Sequence, residues 1–585
     1  MGEAAWRRRF RAPRLTFPTW ARDEPQRAMY ASNSSGKWEL YAWDRPTGRH
    51  RQVTDRPAGT LAGRLDPTGE WIWWFDDDRG NEFGRWMVEP FTGGERRAAA
   101  PALPPAYGAG LALAHSFALL GSSRDEGTTI SLLSKDGDPS TLYRHREHAW
   151  ISGLSRDETL FCLSHCEHGD NRHPALRLLE LSGRAVADLW DGPGKGLWAS
   201  EWSPVRGDQR IIVHHERADL RRPLIWSAAS GAIVEPRVDL PGEVWATWYP
   251  DASALLLQHD HRGRTELYRL GLSGDAALAR LEVEPGTIVA ARVRPDGEIW
   301  YMWTRSSTAP ELRAGGKVLL QPGGEPSPGG VAYTDHTVEE IHVFLAEPAA
   351  PRPHPTLLFI HGGPDAHDRD EFSPRVQAWV DHGFAVALVN YRGSTGYGKA
   401  WRDALEGNPG FTELADIVAV RRWLESSGIA DPARTVLSGG SWGGYLTLLG
   451  LGMHPELWAL AIAIVPVADY VAAFEDEMEP LKAFDKALFG GTPEEIPEVY
   501  RARSPITYVD QVRVPVFILA GENDPRCPIR QIDNYLERLR EVGALHEVYR
   551  YDAGHGSLVI DEVIRQTELQ IDFAARHLDT PSPLE

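Results

Sequence analysis

Arg434-Thr-Val-Leu-Ser-Gly-Gly-Ser-Trp-Gly-Gly-Tyr445 is the stretch from which the chain is best read. An apolar, β-prone run ends in Gly439-Gly-Ser-Trp-Gly443, and Tyr445-Leu-Thr-Leu-Leu-Gly-Leu continues at once with helical character. A serine between glycines at a strand-to-helix turn matches the G-x-S-x-G pattern of an exposed nucleophile. Side chains next to Ser441 would clash in so sharp a turn. The turn also sets the N–H of Trp442 beside the hydroxyl. The pattern alone is common, with roughly 0.3 chance matches expected in a chain of this length. Its surroundings therefore have to carry the reading.

Downstream and upstream of it, short apolar runs alternate with helical periodicity. Thr356-Leu-Leu-Phe-Ile360, Ala385-Val-Ala-Leu-Val389, Thr435-Val-Leu437, Leu460-Ala-Ile-Ala-Ile-Val465 and Pro515-Val-Phe-Ile-Leu519 have the length and continuous apolarity of buried strands. Residues 414–424, 532–539 and 560–578 have helical spacing. Such alternation means a mostly parallel, doubly wound sheet covered on both faces, the α/β-hydrolase arrangement. Ser441 then stands at the C-terminal end of a central strand, where ligands bind in open α/β sheets.

A serine hydroxyl needs a base, and the base needs a third group to hold it. In this architecture the chain order is Ser, Asp or Glu, His. The loop after Leu519 reads Ala520-Gly-Glu-Asn-Asp-Pro-Arg-Cys-Pro528, and the loop after Tyr551 reads Asp552-Ala-Gly-His-Gly556. Both follow strands, so Asp524, preferred over its neighbour Glu522, and His555 converge on Ser441. Most other downstream carboxylates fall on helices and read as solvated faces. Developing oxyanion charge needs aimed donors. The Trp442 N–H, the Gly363 N–H of His361-Gly-Gly-Pro364 and the hydroxyl of Tyr397 are the candidates, and His361 shapes its loop.

The first 320 residues differ. Turns containing Pro, Asp or Gly introduce apolar strands at Asp66-Pro-Thr-Gly, Ser155, Ser203-Pro204, Tyr249-Pro-Asp and Arg294-Pro-Asp-Gly, about 45 residues apart with one double gap. A repeat of that length with four strands per unit is the signature of a β-propeller. Extrapolation to copies near 25 and 111 gives seven blades, and the regular spacing disfavours a pair of sandwiches. The turn-rich Gln321-Pro-Gly-Gly-Glu-Pro-Ser-Pro-Gly-Gly330 marks the join, so residues 1–325 are expected as propeller and 326–585 as hydrolase domain.

Composition narrows the function. A net charge of −20 leaves no basic excess for nucleic acid. No apolar run approaches the ~20 residues of a membrane span, and Arg7-Arg-Arg-Phe-Arg11 lacks the apolar segment of a secretory signal. The default compartment is the cytoplasm. The three cysteines do not form a disulfide framework. Cys162 and Cys166, near His165 and His168, lack a second ligand pair, so no metal is expected and no cofactor is implied.

Taken together, His361-Gly-Gly-Pro, Tyr391-Arg-Gly-Ser-Thr-Gly-Tyr-Gly, Gly439-Gly-Ser-Trp-Gly-Gly-Tyr, Gly521-x-x-Asp-x-Arg and Gly554-His-Gly resemble the prolyl oligopeptidase (S9) family. Within it the acylaminoacyl-peptidase-like branch is nearest. The resemblance covers residues 340–580, and the repeat before it is similar to that family's propeller. It implies a serine peptidase for short peptides, acylaminoacyl hydrolysis as subtype, and association into homo-oligomers. It also implies that Val465, Tyr470, Phe474 and Phe484 line a hydrophobic pocket for the residue before the cleaved bond. Arg392, Arg526 and Arg530 lie on or near active-end loops, where each either binds a peptide carboxylate, permitting C-terminal trimming, or forms a structural ion pair. Arg526-Cys527-Pro528 replaces the family's usual Arg-Val-Pro, and the propeller lacks the paired glutamates that hold a free N-terminus in dipeptidyl peptidases. A small-molecule esterase or amidase, and a propeller binding protein with a relict hydrolase domain, are the remaining alternatives.

Overall fold

The computed structural model describes residues 3–134, 137–273, 277–580 and 582. Its C-terminal half is built on one eight-stranded sheet. In chain order the strands are β1 (Thr334–Val338), β2 (Ile341–Ala346), β3 (His354–Ile360), β4 (Ala385–Asn390), β5 (Ala430–Gly440), β6 (Leu460–Ile464), β7 (Val516–Gly521) and β8 (His546–Tyr551). They lie in the order β1-β2-β4-β3-β5-β6-β7-β8. β2 pairs antiparallel with both β1 and β4, and every later pairing is parallel. β4, β6 and β7 are buried along their whole length. That is why these segments read as unbroken apolar runs rather than alternating ones.

One face packs the helices α3 (Phe411–Ser426), α4 (Trp442–Met453) and α7 (Ile529–Glu541) over Leu358, Leu437 and Ile518. The other packs α2 (Pro374–Asp381) and α8 (Ile560–Leu578) over Leu357, Val436 and Phe517. The expected join at 325 lies between the strand ending at Leu320 and β1, where residues 321–333 hold neither helix nor strand. Helix α1 (Ala5–Arg11) departs from the expected assignment of residues 1–325 to the propeller. Its Trp6 and Phe10 are buried against the α2–α8 face, and Arg9 pairs with Asp381 at 2.5 Å.

The N-terminal half is a propeller. Five separate four-stranded sheets span residues 19–52, 149–189, 197–234, 243–280 and 287–320, and an eight-stranded sheet spans 63–145. Against the expected seven blades the described strands form six sheets, because two pairings, Phe83↔Tyr107 and Gly84↔Ala106, join neighbouring four-strand sets into one. The ring closes by packing, not by strand exchange. Tyr30 and Trp43 of the first sheet, with Leu15 just before it, share a core with Trp300, Met302 and Leu312 of the last, and the Trp43 and Trp300 rings stack at 5.8 Å. Among the described residues no helix is long and apolar enough to cross a membrane.

Candidate active site

The elbow after β5 explains its own sequence. Ser441 has φ 56° and ψ −119°, a left-handed setting that costs a non-glycine residue about 1–3 kcal/mol and persists only where its neighbours hold it. Its N–H donates to the carbonyl of Ile464 on β6 at 2.9 Å. A Cβ on Gly443 would lie 2.0 Å from the Ile360 carbonyl oxygen, and one on Gly439 would lie 2.6 Å from the same atom. The two glycines let α4 start directly against the end of β3. Trp442 opens that helix, so its N–H has no acceptor within it, and its indole N–H donates to Glu413 Oε1 at 3.1 Å.

The expected partners come together. His555 Nδ1 donates to Asp524 Oδ2 at 2.8 Å, leaving Nε2 as the nitrogen with a free lone pair. Asp524 Oδ1 accepts the N–H groups of Arg526 at 2.8 Å and Cys527 at 3.0 Å. The carboxylate is almost fully buried and held at both oxygens, so it can fix the imidazole's tautomer and angle. The His361-Gly-Gly-Pro364 loop lies against the elbow: a Cβ on Gly362 would stand 3.2 Å from Ser441 Cβ and 3.7 Å from the Trp442 nitrogen. Next to it Gly363 takes φ 129°. His361 stacks on Tyr391 at 4.3 Å and bonds Ser394 Oγ at 2.8 Å. Burial holds its imidazole down at about 4, so it is neutral and shapes the loop.

Tyr397 is different. Its hydroxyl donates to His342 Nδ1 at 2.6 Å, and His342 Nε2 donates to Asp335 Oδ1 at 3.0 Å. His342 is on β2, three strand positions from β5, or about 14 Å at ordinary strand spacing. The hydroxyl is thus committed to a partner on β2, and Ser441 is not among its bonds.

The candidate substrate residues divide. Arg392 grips Asp416 through Nε at 3.0 Å and Nη2 at 2.6 Å. Arg530 pairs with Asp476 and Glu475. Arg526 makes a two-pronged pair with Glu82 of the propeller at 2.7 and 3.0 Å. All three are engaged in ion pairs. Tyr470 is not an open wall but core, ringed by Tyr445, Phe489 and Tyr500. Phe474 packs on Tyr500, and Val465 is buried with its N–H on Leu519. Phe484 alone of the four lines the cavity of about 1280 Å³ between the domains, with Trp198, Trp245, Arg221, Asp365 and His367.

Sequence reasoning missed how the propeller holds the loops that carry Asp524 and His555. The hairpin turn 78–82 lies on both of them. Gly80 approaches so closely that a Cβ on Gly554 would meet its carbonyl oxygen at 1.9 Å. Arg79 pairs with Asp552 at 2.9 Å, and Glu82 takes Arg526. Glycines on both sides of His555 were the available signal. The histidines His165 and His168 do share a site, but with Asp188 in place of the two cysteines, and Arg177 already occupies that carboxylate.

Residues 370–581 match the model of the prolyl oligopeptidase family. The acylamino-acid-releasing enzyme of Rattus norvegicus is 31% identical over 430 residues, covering 63% of this chain and 57% of the relative. Dipeptidyl peptidase family member 6 of Caenorhabditis elegans is 33% identical over 212 residues, covering 35% of this chain and 28% of the relative. The chain thus spans from about a quarter to six tenths of the length of these curated relatives. A puromycin hydrolase crystal structure superposes with a TM-score of 0.82 at 21% identity over 99% of this chain and 96% of its own. At that identity the likeness concerns the fold.

Proposed function

We propose that this chain belongs to the prolyl oligopeptidase (S9) family and is a serine peptidase that hydrolyses short peptides through an acyl-enzyme. The reading rests above all on the 2.8 Å bond from His555 to Asp524 at the sheet end where the strained Ser441 elbow stands. In it, His555 Nε2 takes the Ser441 proton as Oγ attacks the scissile carbonyl. Asp524 stabilises the imidazolium, and the N–H groups of Trp442 and Gly363 receive the oxyanion. His555 then returns the proton to the leaving amine, and water repeats the cycle on the ester. The imidazole alone exchanges protons, since Asp524 already accepts three hydrogen bonds.

The propeller supplies a size filter: substrate reaches the elbow from the interdomain cavity. We take the eight-stranded sheet as two blades, residues 63–98 and 106–145, which gives seven; a separate apolar cluster lies between each neighbouring pair around the ring. We keep the domain division near 325, with α1 added to the hydrolase body. Engagement of Arg392, Arg526 and Arg530 in ion pairs favours acylaminoacyl-type release over carboxypeptidase action. The test is a mass-spectrometric time course on one peptide with free ends, N-acetylated, and C-amidated, beside Ser441→Ala. Release of an N-acetyl amino acid supports the subtype. Stepwise C-terminal loss that amidation blocks overturns it in favour of a carboxypeptidase.

A further inference from the structure

Two acids beside the elbow are buried without counter-charge. Glu477, which ends α5 (Tyr470–Asp476), and Asp485, on α6 (Glu479–Phe489), are 3% and 4% exposed. Both carboxylate oxygens of Glu477 lack any hydrogen-bond donor. Among the described residues neither acid has a Lys, Arg or His within ion-pair distance, and the nearby Lys482 is turned to Glu479 at 2.8 Å. An unpaired buried carboxylate costs several kcal/mol, so a protein that keeps two together calls for an explanation.

Their surroundings supply one. The Met478 N–H donates to the Pro525 carbonyl at 2.9 Å, which pins the Glu477 turn to the Asp524–Cys527 loop. Both acids act electrostatically on the buried Cys527 and Tyr470. The Tyr470 ring in turn meets the Trp442 ring at 6.2 Å. Phe484, next to Asp485, lines the interdomain cavity. The pair therefore lies beside the Asp524 loop and the Tyr470 ring that meets the elbow's Trp442, next to Phe484 at the cavity's edge.

We propose that Glu477 and Asp485 form the end of a specificity pocket that takes a lysine or arginine side chain on the acyl side of the cleaved bond. The Phe484 ring on the cavity wall suits the aliphatic stem, and the two carboxylates suit the terminal cation. This rests on the serine peptidase reading and replaces the apolar preference expected from sequence. Burial pushes Asp485 up to about 8 and Glu477 well above the carboxylate range. Without substrate the two acids thus hold their protons; an arriving ammonium or guanidinium displaces one to solvent and pairs with the carboxylate left behind.

The experiment compares kcat/KM for N-acetyl-Ala-Ala-Xaa-p-nitroanilides with Xaa as Lys, Arg, Gln, Leu or Phe, in wild type, Glu477→Gln and Asp485→Asn. A charged hydrogen bond is worth about 1.5–3 kcal/mol, so Lys and Arg exceed Leu by about 10–150-fold, and each substitution collapses the Lys:Leu ratio toward one. Calorimetry on Ser441→Ala gives the same order for the Lys and Leu peptide amides, independent of turnover and of any folding defect in the acid variants. Preference for Leu or Phe in wild type, or equal binding of the two amides, overturns the subsite while leaving the peptidase intact. Absence of turnover together with absence of fluorophosphonate labelling removes the peptidase reading, and the subsite falls with it.

Discussion

Gly554→Ala separates catalytic alignment from folding. Gly554 does not have a positive φ, so alanine meets no backbone penalty there, and only the contact with the propeller changes. The new Cβ would lie 1.9 Å from the Gly80 carbonyl oxygen, against the 3.0 Å that such atoms keep. The 78–82 turn and the His555 loop must therefore separate by at least 1.1 Å, the difference of those distances. The loop cannot yield inward easily, because a Cβ on Gly521 would already touch the Gly554 carbonyl oxygen at 2.2 Å and Tyr551 Oη donates to that oxygen at 3.1 Å. A displacement of about 1 Å at a catalytic group costs on the order of 100-fold in rate, or about 2.7 kcal/mol of transition-state stabilisation. Steady-state kcat/KM on an activated N-acyl peptide anilide reads it, with thermal unfolding as control. A melting temperature close to wild type with a 100-fold slower enzyme is expected. Full activity in a folded Gly554→Ala protein would refute the idea that the propeller turn positions His555.

Asp524→Asn should leave the fold intact and lower kcat by about 10⁴-fold by favouring the wrong imidazole tautomer, measured by burst and steady-state kinetics. Tyr397→Phe should change kcat by less than about threefold, since a true oxyanion donor would cost about 10²–10³-fold; a loss of that size would restore Tyr397 to the site. His173, bonded to Asp170 in its own loop and to Asp403 across the domains, has its pKa raised from 6.5 to about 9; burial opposes the shift but the two carboxylates outweigh it. A raised folded-state pKa gives stability that is complete below pH 6.5 and is lost as pH climbs through 9, up to about 3 kcal/mol at 1.36 kcal/mol per unit. Denaturation midpoints between pH 6 and 10 should fall accordingly, and His173→Gln should flatten the curve.

What was legible in the sequence follows from what is local. β3 to β7 announce themselves as apolar runs because parallel strands are buried on both faces, and the glycines around Ser441 report clashes with the adjacent β3 carbonyls. β1 and β2 passed unseen, because β1 is a polar edge strand and His342 interrupts the apolar run of β2. That omission hid His342, and with it the true partner of the Tyr397 hydroxyl. Helix α1 was obscured by its four arginines, which left only Trp6 and Phe10 to signal a buried face. Glu477 and Asp485 read as solvated helix positions, since nothing in their spacing records that the Asp524 loop covers them. The Glu82–Arg526 pair joins residues 444 apart, a distance at which periodicity carries no information.

The most direct test of the account is to treat the folded protein with a fluorophosphonate and locate the adduct by tandem mass spectrometry. The account predicts one labelled peptide, carrying the adduct on Ser441, with labelling abolished in Ser441→Ala and strongly slowed in His555→Ala. No adduct, or an adduct on another serine in protein shown to be folded, would contradict it.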